Sequence, residues 1–187
     1  MALDDRTPEP VEVTVTFLEM VEPAKAGVPQ PIGRNIALLK ANGIPLHFYR
    51  YLIDRVGRRW HWVNMLRKDD EALAAILHAK SRDIRVLYLD GAPAGFFELH
   101  VDGHEVELAF FGMMDHAMGQ GLGKWFLGAA ISTAWAHHPK RVVVQTCTLD
   151  HPAALPLYQK LGFRPYAQAN EIIYPLSLAE RAQIVIA

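Results

Sequence analysis

The stretch HAMGQGLGKW, residues 116–125, sets glycine at 119, 121 and 123 and then opens an apolar run. Glycines at alternate positions let a backbone approach a ligand closely. A turn that feeds a helix N-terminus aims N–H groups at an anion, pyrophosphate above all. Residues 116–149 contain no Asp or Glu, so no carboxylate of this segment repels a phosphate. Two common phosphate loops do not fit. A P-loop places four residues before its Gly-Lys pair and follows the pair with Ser or Thr. Here only residues 120–122 separate Gly119 from Gly123-Lys124, and Trp125 follows. The dinucleotide fingerprint G-x-G-x-x-G would need glycine where Lys124 or Phe126 stands.

A second group of residues is suited to proton transfer or substrate contact. In EVELAFFGM (105–113), strand alternation puts Glu105, Glu107, Ala109, Phe111 and Met113 on one face. A carboxylate beside Ala109, Phe110 and Phe111 has its charged form disfavoured by desolvation, which suits Glu107 to general-base work. Cys147, on the apolar run VVVQTCT, reads as a small buried thiol rather than a nucleophile. Trp60 and Trp62 in RRWHW offer flat faces that can wall a pocket or stack on a cation. His100 and His104 flank a turn without a third ligand, so no metal is expected.

The elements that must position these groups are legible from periodicity. VEVTVTFLEM (11–20) alternates as a half-buried strand, after a disordered lead over residues 1–10. The segment 22–34, with Pro23, Pro29 and Pro31, reads as a linker or wrapping loop. Helices are expected over 45–57 and 69–80, the second with acids in its first turn. Three strands, 84–90, 93–101 and 105–113, are joined by Asp90-Gly91 and Asp102-Gly103 and predict an antiparallel meander. After the glycine turn come a helix ending near His137, a central strand over 141–148, a helix over 151–162 and a last strand or hairpin. Strands paired first by hairpins and then through helices imply one α/β domain with a mixed sheet.

Composition narrows the class. The chain has 187 residues, 51% hydrophobic, with a formal net charge of −1. That size supports one core or two small ones, and the near-neutral balance disfavours nucleic acid as a partner. A single cysteine fits a reducing compartment. No apolar run is long enough for a membrane span, and the acidic, proline-bearing start is not a signal peptide. The expectation is a cytoplasmic protein that does not engage membranes.

FFGMMDHAMGQGLGKWFL, followed by VVVQTCTLDHPAALPLYQKLGF, resembles the core of the GCN5-related N-acetyltransferases, the GNAT superfamily. Its hallmark is Q/R-x-x-G-x-G/A after a strand, with a later N-x-x-A-x-x-x-Y helix and Gly-Phe. The resemblance covers residues 84–166 well. It implies an α/β fold with a splayed mixed sheet and helices on both faces, with residues 35–187 forming the GNAT-like domain behind the 11–34 strand and loop.

It further implies acetyl-coenzyme A as co-substrate, with no metal. Amides around Gly119, Gly121, Leu122, Gly123 and Lys124 would hold the pyrophosphate, and the pantetheine arm would pair with Phe111, Gly112 and Met113. His151 stands where Asn commonly meets the cofactor arm, and Met118 where Gln or Arg is usual. Counting six back from Met113 gives Glu107 as the family's base, and Tyr158 falls where a tyrosine protonates the leaving thiolate. The acceptor implied is a primary amine, on a small molecule or on a peptide N-terminus or lysine. Glu105 with Trp60 and Trp62 would help to bind it. A homodimer is compatible with the family, and the rival function is a non-catalytic acyl-CoA sensor.

Overall fold

A computed structural model describes residues 8–23 and 27–186. The expected disordered lead lies outside the described residues up to position 7, and residues 8–10 carry no regular structure. The strand read from VEVTVTFLEM is β1 (Val11–Met20). A strand not anticipated, β2 (Ile36–Lys40), follows the proline-rich segment. Next come α1 (Leu46–Gly57) and α2 (Asp70–Leu77). The Asp69 side chain accepts from the Ala72 N–H at 2.8 Å and caps α2. This helix ends before Lys80, which lies in the turn beyond it.

The meander is present as β3 (Arg82–Leu89), β4 (Ala92–Asp102) and β5 (Glu105–Met113), each antiparallel to the next. Asp90 and Gly91 take φ of 51° and 86°, the two positive values that a tight hairpin turn with the strands' own twist requires. The chain continues with α3 (Gly123–Trp135), β6 (Arg141–Cys147), α4 (Ala154–Lys160) and β7 (Arg164–Ile173). It closes on α5 (Leu178–Ile186), which periodicity did not announce.

The seven strands form one sheet in the order β2-β3-β4-β5-β6-β1-β7, with β5 and β6 its parallel pair. The first strand therefore lies inside the sheet, antiparallel to both β6 and β7. Its alternation explains this placement. Val13 and Val15 are buried on one face, and Leu18 and Met20 on the other, as an interior strand needs.

Helices cover both faces. On one, Phe126, Leu127, Ala130 and Ala134 of α3 and Tyr158 of α4 pack over Leu18, Leu99, Leu108 and Val144. On the other, Tyr49, Leu52 and Ile53 of α1 and Leu73 of α2 pack over Ile84, Val86 and Phe96. Tyr49 also donates from its hydroxyl to Glu98 Oε2 at 2.6 Å, and Arg82 donates to Oε1 at 2.8 Å, which fixes α1 on the sheet.

The fully buried Asp54 of α1 accepts from Arg58 one turn on and from Arg181 Nη1 of α5 at 2.6 Å. Burial opposes its charge, but the hydrogen bonds from Arg58 and Arg181 outweigh that and hold the carboxyl below its ordinary range. The pair thus stabilises the fold above the unfolded-state carboxyl range, and the contribution is lost as pH falls through the lowered native value. Asp54→Asn should cost about 3 kcal/mol in urea unfolding at neutral pH, because it leaves Arg181 buried without its counter-charge. The gap from wild type should close at acid pH, where the native carboxyl is itself protonated. A gap that does not change with pH would assign the loss to packing instead.

Candidate active site

Strands β5 and β6 pair from Glu105 opposite Arg141 only as far as Leu108 opposite Val144. Beyond that point Phe110 to Met113 keep β4 as their partner, and β6 stays on β1 as far as Cys147. The two parallel strands part, and the gap opens into a cavity of about 500 Å³. Its walls are Leu108–Met113 of β5, Gln145–Cys147 of β6, Ala154, Leu157 and Tyr158 of α4, and the glycine turn. Buried backbone groups need partners, so the β5 edge left by β6 can pair with a strand-like ligand. Phe111, Gly112 and Met113 all lie on this edge.

One expectation about β5 is corrected. Glu98 pairs with Phe110 and Leu99 with Leu108, so Ala109 is an extra, unpaired residue: a β-bulge. The bulge reverses the alternation. Val106 and Leu108 pack in the same core as Phe111 and Met113, whereas Phe110 joins the other core. Glu107 therefore does not share a face with Phe111 and Met113. The cavity begins at Leu108, and Glu107 stands just outside it, its carboxylate 3.9 Å from His100 Nδ1. Glu105 lies farther back, paired with Arg141, which also binds Glu19 at 2.9 Å.

At the other end of the gap, Gly119 and Gly121 take φ of +72° and +76° with open space where a Cβ would stand. Both signs favour glycine. The N-cap of α3 is Leu122, with no side-chain capping bond, and the first intrahelical bond runs from Phe126 N–H to Leu122 carbonyl. The N–H groups of Gly123, Lys124 and Trp125 thus have no partner within the helix. Gly119, Gly121, Leu122 and Gly123 line the cavity, while Lys124, next in the chain, is exposed and outside its lining. This arrangement can hold a pyrophosphate by backbone donors and helix dipole.

The remaining wall is aromatic and acidic. His61 adopts φ of 56°, and the turn it makes lets Trp60 and Trp62 both face the cavity. Trp62 is locked by two glycines. A Cβ at Gly57 would lie 2.5 Å from Trp62 Cβ, and one at Gly112 would strike Val56 and lie 3.2 Å from Trp62 Cη2. The Trp62 ring packs on Phe110 at 5.2 Å, and its Nε1 lies 3.4 Å from Asp150 Oδ1. The other oxygen of Asp150 accepts from Thr146 Oγ1 at 2.8 Å and from Cys147 N–H at 2.9 Å.

Tyr158 is buried, edge-on to Phe163, and reaches the cavity. Burial first, then the charge of Asp150, pushes its phenol well above the ordinary value, so it carries its proton throughout the neutral range. His151 lines the cavity with its ring 5.5 Å from Trp60, while its Nδ1 accepts from Ala153 N–H at 3.1 Å. Burial raises the Cys147 thiol, which keeps it protonated and a poor nucleophile.

The structure gathers Phe111 to Met113, Gly119, Gly121 to Gly123, Tyr158, His151, Trp60 and Trp62 around one cavity and leaves Lys124, Glu105 and Glu107 out of its lining. Sequence reasoning passed over Asp150, Glu171 and Arg67, which do line it. Asp150 had a signal, since it is the acid that ends the acid-free run. Glu171 and Arg67 had none, because Arg67 reaches the site only by donating to the carbonyls of Tyr174 and Pro175.

A family model described as the acetyltransferase (GNAT) family matches residues 49–163. No curated protein matches the chain. Among solved structures, a GCN5-related N-acetyltransferase from Kribbella flavida is similar at TM-score 0.56 and 17% identity, over 91% of this chain and 62% of that one. A tandem GNAT protein from the clavulanic acid biosynthesis pathway gives 0.54 and 16%, over 88% and 55%. An aminoglycoside acetyltransferase from an uncultured soil metagenomic sample gives 0.58 and 18%, over 76% and 97%. The chain thus spans less than two thirds of the first two, and at these identities the likeness is one of fold.

The glycine lock on Trp62 has a measurable consequence. Gly112→Ala should destabilise the protein by about 1–3 kcal/mol through overpacking against Val56 and Trp62. It should also change the near-UV circular dichroism as Trp62 moves. Unchanged stability and spectrum would mean that the wall is not held by the glycine.

Proposed function

Because the chain belongs to the acetyltransferase (GNAT) family, we propose that it moves an acetyl group from acetyl-coenzyme A to a primary amine by direct attack, with both substrates in the cavity at once. Acyl transfer is the chemistry of the family; the donor and acceptor are the proposal. The observation that carries it is the continuous path from the uncapped start of α3, along the free edge of β5, to Tyr158. That path has anion donors at one end, unpaired backbone in the middle and a proton donor at the other. A phosphate-bearing, amide-rich, thiol-ended molecule fits all three.

Bound there, acetyl-coenzyme A would supply an activated thioester. The protein's part is positioning and proton traffic. Gly119, Gly121, Leu122, Gly123 and Lys124 fix the phosphates, Phe111 to Met113 align the arm, and His151 borders it. Tyr158, protonated at neutral pH, gives its proton to the departing sulfur. An acceptor amine arrives mostly as ammonium and must lose a proton before it attacks. In this reading Asp150, which lines the cavity beside Tyr158 and Trp62, receives that proton, and Glu107 at the margin contributes only through water.

Asp150 and Glu171, with the rings of Trp60 and Trp62, favour a cationic acceptor by charge and by cation–π contact. The acceptor is a small molecule or a peptide N-terminus or lysine.

Free-thiol release from acetyl-coenzyme A with a panel of amines tests the reading. Binding of coenzyme A without thiol release for any amine would favour an acyl-CoA sensor. Tyr158→Phe should slow turnover by about a hundredfold with coenzyme A affinity kept; an unchanged rate would return Tyr158 to a packing role. Asp150→Asn should lower turnover most on the low-pH side, whereas Glu107→Gln should leave the shape of the pH–rate profile intact. The reverse pattern would make Glu107 the base.

A further inference from the structure

Residues 27–35, ahead of β2, touch α3 and reach the glycine turn. Val28 lies on α3 at Gly128, where an added Cβ would come within 2.9 Å of Val28 Cγ2. The missing side chain at 128 is what lets the segment rest on the helix. Farther along the same segment, Arg34 Nη1 donates to Gln120 Oε1, and Gln120 Nε2 donates to the His116 carbonyl. Gln120 stands between Gly119 and Gly121, at the tip of the turn. A guanidinium 86 positions away in the chain is therefore fastened to the turn itself.

Arg34 is exposed, and among the described residues no carboxylate lies within ion-pair distance of it. The acid that begins the turn, Asp115, pairs with Arg59 at 3.0 Å. The side chain heading the glycine run is Met118, which brings neither charge nor a strong hydrogen bond. The turn thus offers backbone donors but little positive charge of its own beyond Lys124.

We infer that Arg34 supplies the missing cation, with Gln120 holding it in place and its remaining N–H groups directed to a phosphate of the donor. The inference rests on the coenzyme A reading and adds to it a phosphate-binding residue from outside the turn. A guanidinium suits the task because one of its five donors can hold Gln120 while others meet phosphate oxygens.

Titration calorimetry with coenzyme A and with dephospho-coenzyme A, at low and high salt, tests this on wild type, Arg34→Ala, Arg34→Lys and Gln120→Ala. Arg34→Ala should weaken coenzyme A binding about five- to tenfold at low salt, with the difference shrinking at high salt. Arg34→Lys should restore part of the affinity. The Gln120→Ala loss should be non-additive with the Arg34→Ala loss in the double variant.

An equal loss for dephospho-coenzyme A places the contact on the pyrophosphate. A loss confined to coenzyme A places it on the 3′-phosphate. Unchanged affinity in Arg34→Ala, or a loss of the same size at high salt, would overturn the inference while leaving the donor reading intact. A wild-type protein that binds no coenzyme A would overturn both.

Discussion

The parting of β5 from β6 after Leu108 is the constraint on which the rest depends. A parallel pair buried between helices would ordinarily continue its ladder, since unpaired backbone in an interior costs as much as a lost hydrogen bond. Here β5 bulges at Ala109 and stays with β4, while β6 stays with β1. The strand that opens the chain is thus what holds β6 away. β6 keeps β1 as its partner as far as Cys147, with β7 beyond β1, and past Val144 its other edge is left open to the gap. The cavity is the space that these two loyalties leave.

The Trp62 side of the gap is set by small residues at tight approaches. Gly112 and Gly57 leave room for Trp62, whose ring then backs on Phe110 at the bulge. Gly95 faces Gly112 so closely that an added Cβ would lie 2.5 Å from the Gly112 carbonyl oxygen. Gly119 and Gly121 serve a different need, since both occupy left-handed conformations with open space around them. The first set permits packing and the second leaves backbone donors uncovered. The same residue type therefore does two physically separate jobs on the two sides of one cavity.

The electrostatics follow the same division. The end at the glycine turn has uncapped helix amides and Lys124, with Arg34 held by Gln120, around a segment without acids. The far end has Asp150 and Glu171 with aromatic rings. Asp150 also acts on its neighbour: it adds to burial in keeping the Tyr158 proton in place.

Local pattern alone determined most of the elements and the glycine turn. Alternation found β1 and the meander, helical spacing found α1 and α3, and glycine spacing found the turn, because each signal lies within a short stretch of chain. The motif register then singled out Tyr158 and His151, and both line the cavity. What sequence could not supply was anything fixed by long-range pairing. The interior position of β1, the edge strand β2 and the docking of α5 through Arg181 and Asp54 depend on partners far away in the chain. The bulge at Ala109 overrode simple alternation and moved Glu107 off the face of Phe111, since an extra residue shows only against the β4 register. Asp150 and Glu171 likewise came to line the cavity only through tertiary contacts. The sequence by itself determined the glycine turn and the helix that it feeds. Tertiary structure decided which charges surround it, because a charge acts through space on whatever the fold brings near.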